Sequence, residues 1–377
     1  GVSDPGEIPI ALTARIQDSN IFGEGKLASV GTTLSTNEQS VSVSYGQNWL
    51  FNKPISTNVS LSYSHSNNYA LRDKMLPSGD IDNDYYYMQY EQNQFSLGLS
   101  LGHRWTPNFA ILTLSGGVTS SLINNLYDDS LWIPYDTSIS QYSDNWEPRN
   151  SIWTSFSMDG RNISWDPSSG WFASQRLSWY GLMHEGFLPF APDWGETEFY
   201  LRTDTKAEKY FTLVNKPITD SWALKLVLMG YSGLSFQFSA LDSTIKKNNQ
   251  LYIDGMFNGR GWTIYNSDKG RGKALWCNSL ELRMPVIPGI FSLDLWGDAV
   301  AITDEPYQFF NLKEEDWYFS FGPSFRFSIQ QFPLRLLFAN TFKIKDGSPV
   351  FTDQDADGDY NWSKNWHFVL SFSMTNR

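Results

Sequence analysis

Apolar residues in this chain recur at every second position in one segment after another, and hardly anywhere at helical spacing. Side chains of a strand alternate between its two faces, so a period of two marks strands whose faces meet different surroundings. Phe95, Leu97, Leu99 and Leu101 alternate with Ser96, Gly98, Ser100 and Gly102. Val59, Leu61 and Tyr63 alternate with Ser60, Ser62 and Ser64. Near the end, Trp366, Phe368, Leu370, Phe372 and Met374 share a face, opposite His367, Val369, Ser371, Ser373 and Thr375. The second face is small or polar throughout. A soluble sandwich needs an apolar inner face and a charged outer one. A rich aromatic face backed by Ser and Gly instead suits lipid outside and a wet lumen inside, the arrangement of a transmembrane barrel.

The pattern predicts an all-β fold, an antiparallel transmembrane β-barrel of about sixteen strands, each near the ten residues a tilted membrane strand needs. The first strand is expected over 6–17 and the last over 364–374, with 85–91 and 95–104 read as two separate strands. Short connections such as Thr36–Glu38, Thr106–Asn108 and Val286–Gly289 alternate with long loops at 124–149, 234–274 and 345–363. Short turns on one rim and long loops on the other are usual for such barrels. The connection 66–84 breaks that rule in this reading, being long on the short-turn side. Residues 1–377 read as a single barrel domain, and its strand pattern begins by Glu7. No run of about eighteen apolar residues offers a transmembrane helix.

Charge and cysteine usage remove other classes. A net charge of −12 argues against nucleic acid as a partner. Cys277 is the only cysteine, so no disulfide forms within the chain. His65, His103, His184 and His367 are scattered, so neither a zinc site nor a Ser–His–Asp set can be argued. The expectation is no catalysis and no cofactor. Asp353, Asp355, Asp357 and Asp359 resemble the first half of a calcium loop, but Lys364 stands where a bidentate Glu is needed. A solvated acidic loop tip is the preferred reading there.

The loop 234–274 is long enough to suggest function. At its centre lies Phe257-Asn258-Gly259-Arg260-Gly261-Trp262. In the strands that follow, Leu280, Leu282, Leu293 and Leu295 take the lipid face. Ser279, Glu281 and Arg283 in one strand, and Asp294, Trp296 and Asp298 in the next, then point into the lumen. The loop can fold inward so that Arg260 pairs with Glu281 and Asp298, an interaction whose bidentate form fixes geometry. The residues by themselves favour an exposed Gly-Arg-Gly turn above two solvated acids, since surface loops are often rich in Gly and Arg.

Gly259-Arg260-Gly261-Trp262 resembles the Val-Arg-Gly-Phe/Tyr motif on the sixth extracellular loop of the BamA outer-membrane assembly family. Leu295-Trp296-Gly297-Asp298-Ala299 is similar to that family's Phe-x-Asp-x-Gly motif, and Ser279-Leu280-Glu281-Leu282 to its preceding acidic strand. Gln17 to Gly25 resembles the first hairpin, and Phe321 through Leu334 the penultimate strands. Asn258 and Gly259 depart from the β-branched residue that usually precedes the arginine. The resemblance favours the Arg260 pairing. It implies a monomeric barrel of the bacterial outer membrane, preceded in the whole protein by periplasmic POTRA domains. It further implies that unfolded outer-membrane proteins are inserted into outer-membrane lipid with the help of accessory lipoproteins. Entry would be at a weak seam between the first strand, with Ile8, Ile10 and Leu12, and the last, with Phe368, Leu370 and Phe372. A two-partner secretion transporter or a porin-like channel of the same superfamily is the alternative.

Overall fold

The structure, a computed structural model, describes residues 11–35, 37–71, 87–130, 132–134, 139–140, 142–143, 146–181, 198–219, 222–239, 244–262, 270–329, 332–351 and 366–372. Ten strands come first: β1 (Ala11–Ile21), β2 (Lys26–Ser35), β3 (Glu38–Gln47), β4 (Ile55–Leu71), β5 (Tyr87–Trp105), β6 (Ile111–Leu126), β7 (Glu147–Asp159), β8 (Gly170–Tyr180), β9 (Tyr200–Thr219) and β10 (Trp222–Ser239). A two-residue ladder between β11 (Leu251–Tyr252) and β12 (Arg271–Gly272) lies within the long loop. There follow β13 (Ala274–Ile287), β14 (Phe291–Thr303), β15 (Trp317–Ile329), β16 (Phe332–Lys345), β17 (Ser348–Phe351) and β18 (Trp366–Phe372). Apart from β11 and β12, they form one 16-stranded sheet in which each strand pairs antiparallel with its neighbour in sequence, β13 following β10. Both β17 and β18 pair with β16, along successive parts of its length. No helix among the described residues is long and apolar enough to cross a membrane.

Alternation in sequence becomes alternation in exposure. On β5, Phe95, Leu97, Leu99 and Leu101 are about half exposed. The opposite face packs through small groups: the hydroxyls of Ser29 and Ser44 lie 2.7 Å apart, and those of Ser96 and Ser121 2.8 Å apart. Leu280 on β13 and Leu295 on β14 are each 58% exposed, while Glu281 and Trp296 beside them are buried. Outer Phe and Leu side chains thus form a band that water would penalise and lipid would not. The sheet curls around the other face. Asp166, on the turn between β7 and β8, meets Arg326 of β15, although β9, β10, β13 and β14 lie between these strands in the sheet. The inner face therefore encloses a lumen.

Two sequence expectations change. The described residues of 85–91 and all of 95–104 belong to one strand, β5, paired with β4 from Tyr87 to His103. With one strand fewer, every later connection changes rim, so the connection after β4 shares its rim with the other long loops and the 66–84 anomaly disappears. The described part of the first strand, Ala11–Ile21, runs past the expected end at 17 and has an irregularity between Asp18 and Ile21. Ile8, Ile10 and the acidic run Asp353, Asp355, Asp357 and Asp359 lie outside the described residues.

Candidate functional site

Three glycines shape the turn that carries Arg260. Asp254 starts it, its Oδ1 accepting the backbone N–H groups of Met256, Phe257 and Asn258. The chain then doubles back, with the Gly261 N–H donating to the Gly255 carbonyl at 2.8 Å. Gly261 has φ +90°, and a Cβ there would stand 2.4 Å from the Ala339 Cβ on β16. Only glycine offers both that backbone region and that close approach.

The turn is seated by its own apolar cluster. Leu251, Ile253 and Trp262 from the loop pack with Leu275 and Cys277 of β13, Val300 and Ile302 of β14 and Tyr318 of β15. Trp262 meets the Tyr318 ring edge-on at 5.0 Å and donates its indole N–H to the Phe319 carbonyl. At the loop's start, Glu198 accepts the Lys246 backbone N–H and the Asn249 side-chain amide. Burial pushes the Glu198 carboxyl above its ordinary value, against those donors and the positive charges of Arg149 and Lys246.

Arg260 is 1% exposed. Its Nε donates to Asp298 Oδ2 at 2.7 Å and its Nη2 to Asp298 Oδ1 at 2.6 Å, a two-pronged fork. Nη1 donates to Glu281 Oε1 at 2.6 Å and Nη2 also to the Ser279 hydroxyl at 2.8 Å. The guanidinium lies 4.1 Å over the Trp296 ring. Register explains the cluster: Ser279 stands opposite Asp298 and Glu281 opposite Trp296 across the β13–β14 ladder. The second Gly-Arg-Gly serves elsewhere, Arg271 donating to the Lys247 carbonyl and covering Tyr252.

The ion pairs extend beyond the residues singled out from sequence. Glu281 also meets Arg283 at 2.8 Å and Arg335 at 2.9 Å. Asp294 receives Arg326 at 2.8 Å. Alternation had placed Arg283 and Asp294 in the lumen; Arg335 of β16, which meets Glu281 and Asp294, carried no sequence signal. Of the seam residues, Leu12, Phe368 and Leu370 are exposed on β1 and β18, and Phe372 belongs to β18. Among the described residues, β1 pairs with β2 and β18 with β16. No group of three His, Cys, Asp or Glu among them is placed to hold a metal ion. This site can do no acid–base chemistry of its own: each carboxylate faces guanidinium, which does not give up its proton. Its capacity is conformational.

The profile of the Omp85 superfamily domain matches residues 20–374. A protein of Treponema pallidum (strain Nichols), whose name is that of an outer membrane protein assembly factor, is 32% identical over 417 aligned positions. That match takes in 100% of this chain and 47% of the relative, so the chain spans about half the length of the relative. Among solved structures, BamA from Haemophilus ducreyi lacking POTRA domains 1-3 aligns with a TM-score of 0.60 at 15% identity, covering 96% of this chain and 67% of that one. CdiB from Acinetobacter baumannii and CdiB from Escherichia coli each align with a TM-score of 0.53, at 10% and 12% identity, over 96% of this chain and 56% and 58% of theirs.

Proposed function

Because this chain belongs to the Omp85 superfamily, we propose that it is the barrel part of a factor that inserts and folds β-barrel proteins into the bacterial outer membrane. The observation that carries this reading is the loop fastened inside the lumen through Arg260, Glu281 and Asp298. A loop held there by two apposed carboxylates and an apolar cluster makes a constitutive wide pore a poor account of the molecule. The relative named as an assembly factor supports the same role.

Substrate strands would enter at the seam between β1 and β18. Every ladder from β1 round to β18 is antiparallel, and counting along the sheet makes these two strands run in the same sense. A strand running the opposite way would therefore pair antiparallel with both. Free strand edges are templates for such addition. Partners would be outer-membrane lipid, unfolded barrel proteins and accessory lipoproteins, with the preceding domains of the whole protein receiving substrate.

The test is reconstitution of the whole protein in lipid vesicles with a urea-unfolded barrel substrate. Insertion is read as appearance of the substrate's heat-modifiable form. Faster insertion than in empty vesicles is expected. It should stop when one cysteine on β1 and one at the same height on β18 are joined by a reducible bifunctional maleimide in a Cys277→Ser background, and resume on reduction. Equal insertion with and without the protein would remove the assembly role, and full activity of the locked form would remove entry at the seam. The second reading, a secretion transporter, is favoured by the likeness to the two CdiB structures. It predicts substrate released across the membrane instead of inserted in it.

A further inference from the structure

The ten-residue turn between β7 and β8 lies on the short-turn rim, opposite the loop of Arg260. It holds itself together: the side-chain Oδ1 of Asn162 accepts the N–H groups of Ser168 and Ser169, and Arg161 forks onto Asp159 and reaches Glu208. Yet it does not stay beside its own strands. Trp165 packs on Gly289, in the turn between β13 and β14, where an added Cβ would stand 2.9 Å from the ring. Asp166 Oδ1 receives Arg326 Nη1 at 2.9 Å, with the two side chains 15% and 4% exposed. The turn therefore crosses part of the short-turn mouth of the lumen.

From Asp166 an unbroken series of alternating charges runs up the inner wall. Arg326 Nε meets Asp294 Oδ2 at 2.8 Å, and Asp294 Oδ2 meets Arg335 Nη2 at 3.5 Å. Arg335 Nη2 meets Glu281 Oε2 at 2.9 Å, and Glu281 Oε1 meets Arg260 at 2.6 Å. With Asp298 at its upper end and Arg283 beside Glu281, the series holds four acids and four arginines, each buried or nearly so. Buried ions are stable only while paired, so loss of a member at one end leaves a neighbour to find another partner. That requirement passes along a contiguous set of contacts.

We propose that the 160–169 turn is a strap across the short-turn mouth, latched by Asp166. Asp166 acts as a positioning residue for the loop of Arg260 on the far rim, through Arg326, Asp294, Arg335 and Glu281. Loosening the strap from the periplasmic side loosens the loop, and by linkage the reverse holds. A segment that engaged the strap from that side would thus govern whether the lumen is plugged.

The only cysteine of the chain supplies the readout. Cys277 is 3% exposed beneath the Arg260 loop, so its rate of reaction with a maleimide reports how often the loop lifts. In the whole protein in vesicles, Asp166→Asn should speed labelling roughly 5–150-fold, the span of ordinary coupling between sites. Asp166→Glu should restore most of the protection. In an Arg260→Ala background, Asp166→Asn should add nothing, because the series is already broken at its top. Labelling unchanged by Asp166→Asn in a heat-modifiable barrel would overturn the proposal, and so would effects that simply add. Should Asp166→Asn fail to fold, Arg326→Lys keeps the charge, loses the second prong and carries the same expectations and the same refutations.

Discussion

Replacing Arg260 by Ala tests what holds the loop in the lumen. The loss is not shared equally between its two acids. Glu281 keeps Arg283 and Arg335 within 2.9 Å. Asp298 loses both prongs of the fork at 2.6 and 2.7 Å, while the 3.3 Å bond from the residue 260 N–H is untouched. Removing one partner of a buried ion pair costs about 3–5 kcal/mol, because the other charge is left without compensation. Each 1.4 kcal/mol is tenfold in an equilibrium, so the lifted population of the loop should rise by roughly two to three orders of magnitude. The apolar seat of Leu251, Ile253 and Trp262 remains, which is why the loop is expected to lift more often and not to stay out. Maleimide labelling of Cys277 measures this directly when lifting is fast relative to reaction. Asp298→Ala added to Arg260→Ala should recover part of the protection, since the buried charge that lost its fork is then gone. A labelling rate in Arg260→Ala within about twofold of the parent, in a barrel that remains heat-modifiable, would refute the reasoning: less than 1 kcal/mol would then be at stake.

Gly261→Ala places a Cβ 2.4 Å from that of Ala339 at φ +90°, and should raise Cys277 labelling by roughly tenfold or more; unchanged labelling would show that the turn can relax. Leu280 lies midway along β13 and faces outward, so Leu280→Arg should destabilise the barrel by about 2–4 kcal/mol in denaturant titrations from lipid vesicles. A loss under about 1 kcal/mol would place that face away from the bilayer centre. Burial raises the Glu198 carboxyl, so the folded chain holds that proton to a higher pH than the unfolded chain. Its contribution to loop docking is full below the ordinary carboxylate value and falls away as pH rises through the raised one. Labelling of Cys277, taken relative to Glu198→Gln at each pH, should climb across that window, and a flat ratio would dissociate Glu198 from docking.

What the sequence made legible follows the physics of the bilayer. Period two is enforced where one face meets lipid, so β13, β14 and β18 could be read residue by residue, with Glu281 and Asp298 on the inner side. Beyond the apolar band that pressure stops, while backbone pairing continues. Gln89 to Gln94 are polar on both faces, yet their ladder with β4 and β6 is intact, which is why β5 looked like two strands. β17 is four residues long and too short to show a period. The contact of Asp166 with Arg326 joins positions 160 residues apart, and no spacing rule relates them. Glycine content hinted at a sharp turn around Arg260, but the seat around Trp262 depends on the curl of the whole sheet.

The wall formed by β2 to β6 differs from the charged wall opposite. Its inward positions carry mainly hydroxyls, side-chain amides and bare backbone, with Ser29 bonded to Ser44, Ser96 to Ser121 and Gln92 to Asn125. Such a surface spends many of its hydrogen bonds on itself, and it presents little charge and no broad apolar area. A polypeptide sliding past would gain little by stopping at any one point on it. The two sides of the lumen are thus unlike in grip: one clamps, and the other is close to frictionless.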